Sequence, residues 1–218
     1  MIIDVQDVTV MYDGIPALSN VSLTVGQGAT IVLTGPTGAG KTTLLRLLYA
    51  ELLPTSGVVM INGTPTSRLK PKQVRELRRT IGIVQQQGRL VDDYTVYENM
   101  LMPLAVHGMA KADASRQALE ILADLNISYV RHKLPRQLSG GERHLVALAR
   151  AMSVNPKLII ADEPTGTLDE GTSMSVASVL HRLADRGTSL VISTHSASFA
   201  AAFPSAQRLH LVEGSMSS

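Results

Sequence analysis

The sequence predicts an α/β protein with a helical segment inserted into its core. Three observations carry this. The run Gly35-Pro36-Thr37-Gly38-Ala39-Gly40-Lys41-Thr42-Thr43 lies between a short apolar stretch, Thr30 to Thr34, and a leucine stripe at positions 44, 45, 47, 48 and 52; that is a strand, a glycine-rich loop and a helix in succession. A second apolar run, Leu158 to Ala161, ends in Asp162-Glu163. Between about Gln86 and Asn155 strand signals vanish and helical periodicity takes over, clearest at Leu119, Ile121, Leu122, Leu125 and Ile127.

The elements follow in order. Residues 2–12 alternate at Ile3, Val5, Val8 and Val10, which predicts a half-buried strand ending at Tyr12. Asp13-Gly14 is a turn, and Val21, Leu23 and Val25 mark a second strand before Gly26-Gln27-Gly28. The helix behind the glycine loop is expected over Thr42 to Leu53, broken by Pro54 to Gly57. Val58 to Ile61 with Asn62-Gly63 reads as strand and turn. Pro71 suits the first turn of a helix running to about Arg79, and Ile81 to Val84 is another short strand. After the helical insert come a buried strand at Leu158 to Ala161, a helix over 172–186 stopped by Gly187, and a strand at Leu190 to Ser193. The tail alternates at Leu209, Leu211 and Val212. The expected organisation is one domain, with 1–85 and 156–218 as the α/β core and 86–155 as the inserted helical subdomain.

A chain of 218 residues, 44% hydrophobic and 17% charged, can bury such a core. Aromatics are 3% with no Trp, which leaves no stacking platform for single-stranded bases, and no nucleic-acid partner is expected. The net charge of +2 is too weak to imply binding to a polyanion or a membrane surface. Without cysteine there are no disulfides, cysteine metal sites or thiol catalysis. The six histidines show no metal-ligand spacing. MIIDVQDVTV lacks the basic and apolar regions of a signal peptide, and no apolar run has the length of a membrane span. The expected location is cytoplasmic, at the inner face of the plasma membrane through a partner. The basic cluster Arg68, Lys70, Lys72, Arg75, Arg78 and Arg79 reads first as a solvated helix face, with a surface for anionic lipid or an acidic partner loop as the alternative.

The glycine run fits G-x-x-x-x-G-K-[ST], the phosphate-binding P-loop. Glycines let backbone N–H groups turn inward around a polyanion, and the helix N-terminus adds its positive dipole end. Lys41 is then placed to reach the β- and γ-phosphates, and the Thr42 hydroxyl to hold Mg²⁺. A hydrophobic strand ending in Asp downstream of a P-loop supplies the second magnesium anchor, Asp162, through the ion's water shell. Glu163 is placed to act as general base toward the attacking water. Leu138-Ser139-Gly140-Gly141-Glu142 is a second anion-binding helix start. One domain does not need two such ends for one triphosphate, so the second is expected to serve a nucleotide held by another copy of the chain.

LSGGE is the signature of the ATP-binding cassette (ABC) family, which the chain resembles over essentially its whole length. The resemblance implies a P-loop NTPase (RecA-like) core with an antiparallel β subdomain and an inserted α-helical subdomain. It further implies a head-to-tail homodimer around two ATP with Mg²⁺, and an integral membrane, permease-like partner. It assigns Tyr12 to adenine stacking and Gln86 to the Q-loop, which senses Mg²⁺ and the γ-phosphate and connects to the partner. It assigns Asp169 to the D-loop at the dimer seam and His195 to the γ-phosphate switch. Within the family, Glu163-Pro-Thr-Gly-Thr-Leu-Asp169 and the stretch Arg89 to Asn99, with Ser67 to Lys70 and Leu77 to Arg79, resemble the cell-division ATPases of the FtsE type. The membrane partner of that group is FtsX. Lipoprotein-release and macrolide-export ATPases are the alternatives, as is an ATP-gated clamp with little hydrolysis. The chain departs from the family at Gln85, where Phe is usual, at Arg143-His144-Leu145, where Gln-Gln-Arg is usual, and at Ser196, where Asp is usual. These departures leave every phosphate and metal position intact and bear on turnover and on coupling through the helical segment.

Overall fold

Two sheets enclose one central helix in the computed structural model, which describes residues 1–86 and 88–217. The first sheet is antiparallel, in the order β2-β1-β4-β5, built from β1 (Ile3–Tyr12), β2 (Ile15–Val25), β4 (Ser56–Ile61) and β5 (Thr64–Pro65). β1 and β2 form a hairpin whose two turn residues, Asp13 and Gly14, both have positive φ (49° and 82°). That is the primed turn whose twist matches a two-residue hairpin. It extends β2 back to Ile15, six residues before the apolar alternation at Val21 that marked it in the sequence.

The second sheet has the order β10-β9-β3-β8-β7-β6. Its members are β3 (Thr30–Thr34), β6 (Ile81–Val84), β7 (Leu158–Asp162), β8 (Ser189–Ser193), β9 (Gln207–Val212) and β10 (Ser215–Ser217). All neighbours pair in parallel except β10 with β9. Parallel strands covered on both faces are apolar throughout, with successive side chains pointing to opposite sides. Ile31 and Leu33 of β3, with Leu158 and Ile160 of β7, join one buried cluster, which also takes in the first sheet and helix α1 (Lys41–Leu48). Val32, Ile159 and Ala161 join the other, packed by the remaining helices.

Those helices are α3 (Val96–Val106), α4 (Lys111–Asp124), α5 (Gly140–Met152), α6 (Glu170–Asp185) and α7 (Ala197–Ala201). α5 lies against β6 at Gly82, where a Cβ would stand 2.5 Å from the Ala151 carbonyl oxygen, so only glycine allows that approach. The segment after Gln86 is fastened to α5 and α3 by buried Asn99, whose amide bonds the backbone of Val91 and Tyr94, and by Arg150, which donates to Asn99 and to the Arg89 carbonyl. The short α2 (Pro71–Arg79) starts with proline and buries no residue.

α1 stops at Leu48, five residues short of the sequence expectation. Ala50 is left-handed (φ 54°), and the Glu51 and Leu52 amides both turn back to the Arg46 carbonyl. Such a closure ends a helix. Leu52 still packs on the core beneath, which is why it kept the apolar rhythm.

Candidate active site

β3 ends in the glycine loop, where Gly35, Gly38 and Gly40 have φ of 143°, 82° and 98°. A Cβ on Gly35 would lie 2.1 Å from the Leu211 carbonyl oxygen, and one on Gly40 2.4 Å from that of Ala17. The loop therefore runs tight against β2 and β9. Lys41 opens α1 and is buried; its Nζ donates to the carbonyls of Gly35 (2.8 Å) and Pro36 (2.9 Å). The ammonium thus fills the mouth of the loop.

Asp162 ends β7 on the same face as Leu158 and Ile160, the face that carries α1. That alternation delivers its Oδ2 to the Thr42 hydroxyl, 2.7 Å away. Its Oδ1 accepts from Ser193 at 2.5 Å, the residue opposite it in the β7–β8 register. The next residue, Glu163, has φ 50°, a left-handed conformation strained for a non-glycine. Two bonds hold it there: its amide donates to both the carbonyl and the hydroxyl of Ser193, each at 3.1 Å. The Glu163 carboxylate lies 2.9 Å from His195 Nδ1 and accepts from the His195 amide at 3.3 Å. The Glu163 side chain is only 10% exposed while that of His195 is 66% exposed, so the carboxylate meets solvent through the imidazole.

These residues converge on a cleft of about 330 Å³ lined by residues 37–43 of the loop, Gln86, Asp162, Glu163 and His195, with Tyr12 and Ala17 at its edge. Ser139, Gly140, Gly141 and Asp169 do not line it. Ser139 caps α5 in a reciprocal box with Glu142: the Glu142 amide donates to Ser139 Oγ (3.1 Å), and the Ser139 amide to Glu142 Oε2 (2.7 Å). That backbone N–H, with Lys133 3.3 Å away, holds the Glu142 carboxyl below the usual range. Ser139 and Gly140 are exposed, and a Cβ on Gly140 would touch nothing. Asp169 caps α6, accepting from the Thr172 hydroxyl (2.6 Å) and amide (2.9 Å), which lower its pKa. Sequence reasoning passed over Ser193 and Ala17. The signal for Ser193 was its place at the end of an apolar strand, two residues before His195, and its partner appears only once β8 is laid beside β7.

A glycine loop with a buried lysine, an aspartate and a glutamate at one strand end, and a capped, exposed helix start outside that cleft define an ATP-binding cassette ATPase. The ABC transporter family matches residues 18–166, and the chain belongs to that family. It is 37% identical to the cell division ATP-binding protein FtsE of Bacillus subtilis (strain 168) over 195 residues, 89% of this chain and 86% of the relative. It is 39% identical to the lipoprotein-releasing system ATP-binding protein LolD of Geobacter metallireducens over 201 residues, 89% of each. The ATP-binding cassette MJ0796, solved as a dimer in a post-hydrolysis state with ADP and Pi, superposes with a TM-score of 0.93 at 32% identity, covering 99% of this chain and 97% of that one.

Proposed function

We propose that this ATPase works as a head-to-tail homodimer, each ATP lying between the P-loop of one copy and Ser139, Gly140 and Gly141 of the other, and that it drives a permease-like membrane partner of the FtsX kind. The observation that carries the reading is the α5 start, capped and exposed yet outside its own chain's cleft. The dimeric MJ0796 neighbour with ADP and Pi supports it. Among the described residues no helix is long and apolar enough to cross a membrane.

Each residue's part follows from its position. Lys41 exchanges the Gly35 and Pro36 carbonyls for the β- and γ-phosphate oxygens, a gain because those oxygens carry charge. Tyr12 stands at the rim where the adenine leaves the loop. The Thr42 hydroxyl and Asp162 carboxylate are the hard oxygen donors that Mg²⁺ takes, and Gln86 lines the same cleft. Mg²⁺, when bound there, offsets phosphate charge. Glu163 accepts the proton of the attacking water, and His195, hydrogen-bonded to it, faces the γ-phosphate. Asp169 lies at the dimer seam.

The test combines three variants. Glu163→Gln removes the base, which costs about 10²–10⁴ in rate, and ATP should then trap a dimer in sedimentation. Ser139→Arg should keep ATP binding and lose hydrolysis, and mixing it with Lys41→Ala should restore part of the activity or, with strictly coupled sites, ATP-driven heterodimers alone. If ATP never promotes dimerisation of Glu163→Gln, even with the membrane partner, the reading fails. Service to lipoprotein release is the second reading, favoured by the 39% identity to LolD. The membrane protein that co-purifies with the chain decides between them.

A further inference from the structure

One buried imidazole touches three functional segments. His144 lies in the second turn of α5, 6% exposed, where the family pattern has glutamine. Its Nε2 is 2.5 Å from the Gln86 carbonyl. Its Nδ1 is 3.0 Å from the Thr167 hydroxyl and 3.0 Å from the Gly140 carbonyl, one helical turn back. A carbonyl only accepts, so Nε2 carries the hydrogen and donates to Gln86. In the neutral ring Nδ1 is then an acceptor, and the Thr167 hydroxyl is the donor that satisfies it. The Gly140 carbonyl, equally close at 3.0 Å, is a partner of Nδ1 only when that nitrogen also carries a hydrogen.

We propose that His144 is a positioning residue that ties the backbone of Gln86 to Thr167 across the start of α5, so that a subunit's own cleft and the surfaces it offers its partner move as one piece. The inference rests on the sandwich reading above. Gln86 lines the cleft, Ser139 and Gly140 begin the helix that carries the imidazole, and Thr167 stands two residues before Asp169. Other contacts fasten the same segment along α5. Arg150 donates to the Arg89 carbonyl, and Arg143 stands 3.8 Å from Asp92. A Cβ at Gly88 would meet Arg143 at 3.2 Å, so the backbone there already lies against the helix. His144 alone among these reaches on to the 164–169 segment. A histidine that departs from the family pattern after the signature and the threonine two residues before Asp169 thus meet.

The test is a double-mutant cycle on the full chain. Thr167 is exposed, so Thr167→Val deletes one hydroxyl without endangering the fold. His144→Leu removes both ring contacts, and His144→Gln supplies an amide that can donate to Gln86 and accept from Thr167. Thr167→Val and His144→Leu should each lower kcat about tenfold or more by misplacing groups at the composite site, with KM within about twofold. The double variant should be no worse than the poorer single one, since both break the same link. His144→Gln should recover most of the rate, and only while Thr167 is present. In a Glu163→Gln background, calorimetry should show unchanged ATP affinity and sedimentation a weaker ATP-driven dimer. Additive losses, or a glutamine no better than leucine, would overturn the inference. If the Glu163→Gln single variant never dimerises with ATP, even with the membrane partner, the sandwich reading falls first and this inference with it.

Discussion

Ser193→Ala is the sharpest probe of how the catalytic pair is held. The hydroxyl is fully buried, donates to Asp162 Oδ1 at 2.5 Å and accepts from the Glu163 amide at 3.1 Å. Its removal leaves a buried carboxylate oxygen without a donor, while the Glu163 amide keeps the Ser193 carbonyl. A lost bond to a buried charged group costs about 1.5–3 kcal/mol, and alanine leaves too small a gap for water to replace it. Unfolding by urea should therefore shift by about 2 kcal/mol at neutral pH. The second consequence is kinetic. Glu163 sits at φ 50°, a strained conformation that Ser193 helps to impose, and a carboxylate displaced by about 1 Å costs on the order of 10²-fold in rate. ATP affinity should fall less than the rate, because among the described residues the hydrogen bonds of the Ser193 side chain go to Asp162 and Glu163 and not to Lys41 or the glycine loop. The assays are denaturant titration, calorimetry with ATP and steady-state hydrolysis on one preparation. A loss of affinity as large as the loss of rate, or no loss of stability, would refute the view that Ser193 positions Asp162 and Glu163.

Three further outcomes follow from contacts elsewhere in the structure. Gly40→Ala places a Cβ 2.4 Å from the Ala17 carbonyl at φ 98°, so calorimetry should show ATP binding lost, with about 1–3 kcal/mol of destabilisation in urea. Arg78, whose guanidinium bonds the carbonyls of Tyr49 (3.1 Å) and Ala50 (2.7 Å) where α1 ends, should cost about 1–3 kcal/mol as Arg78→Ala, with ATP affinity unchanged. The Glu142 carboxyl has a lowered folded pKa, so its stabilisation is full above the ordinary carboxylate pKa and is lost as pH falls through the folded value. Urea midpoints of the wild type and Glu142→Gln should differ most near neutrality and converge in acid.

Strands β3, β6, β7 and β8 of the large sheet were legible because parallel strands buried on both faces leave an unbroken apolar word, as at Leu158 to Ala161, whereas the short, largely exposed β10 leaves none. Helix α1 was legible in place but not in length. Periodicity reports which side chains meet the core, and Leu52 meets it from a non-helical backbone. The first half of β2 was missed because Ile15 is exposed and Pro16 follows it, so no alternation announces a strand that the Asp13-Gly14 turn nonetheless fixes. At the site, each linear motif could be read from its residues. The contacts between motifs could not: Thr42 meets Asp162, and Ser193 meets both Asp162 and Glu163, because β3, β8 and β7 lie side by side. His144 stood out only as a departure, and the Gln86 and Thr167 that it touches lie in segments brought to it by folding.

The two-faced burial of β7 has a genetic consequence. Leu158 and Ile160 belong to one core and Ile159 and Ala161 to the other, and Asp162 takes its side of the sheet from the same alternation. A codon gained or lost within this strand would exchange both sets of contacts at once and turn Asp162 away from Thr42. Codons here can be exchanged for others of like size, but an in-frame insertion or deletion should behave as a null allele. At the exposed Asn62-Gly63 turn the same lesion disturbs only the pairing of the two-residue β5 and the bonds between Asn62 and Ile2.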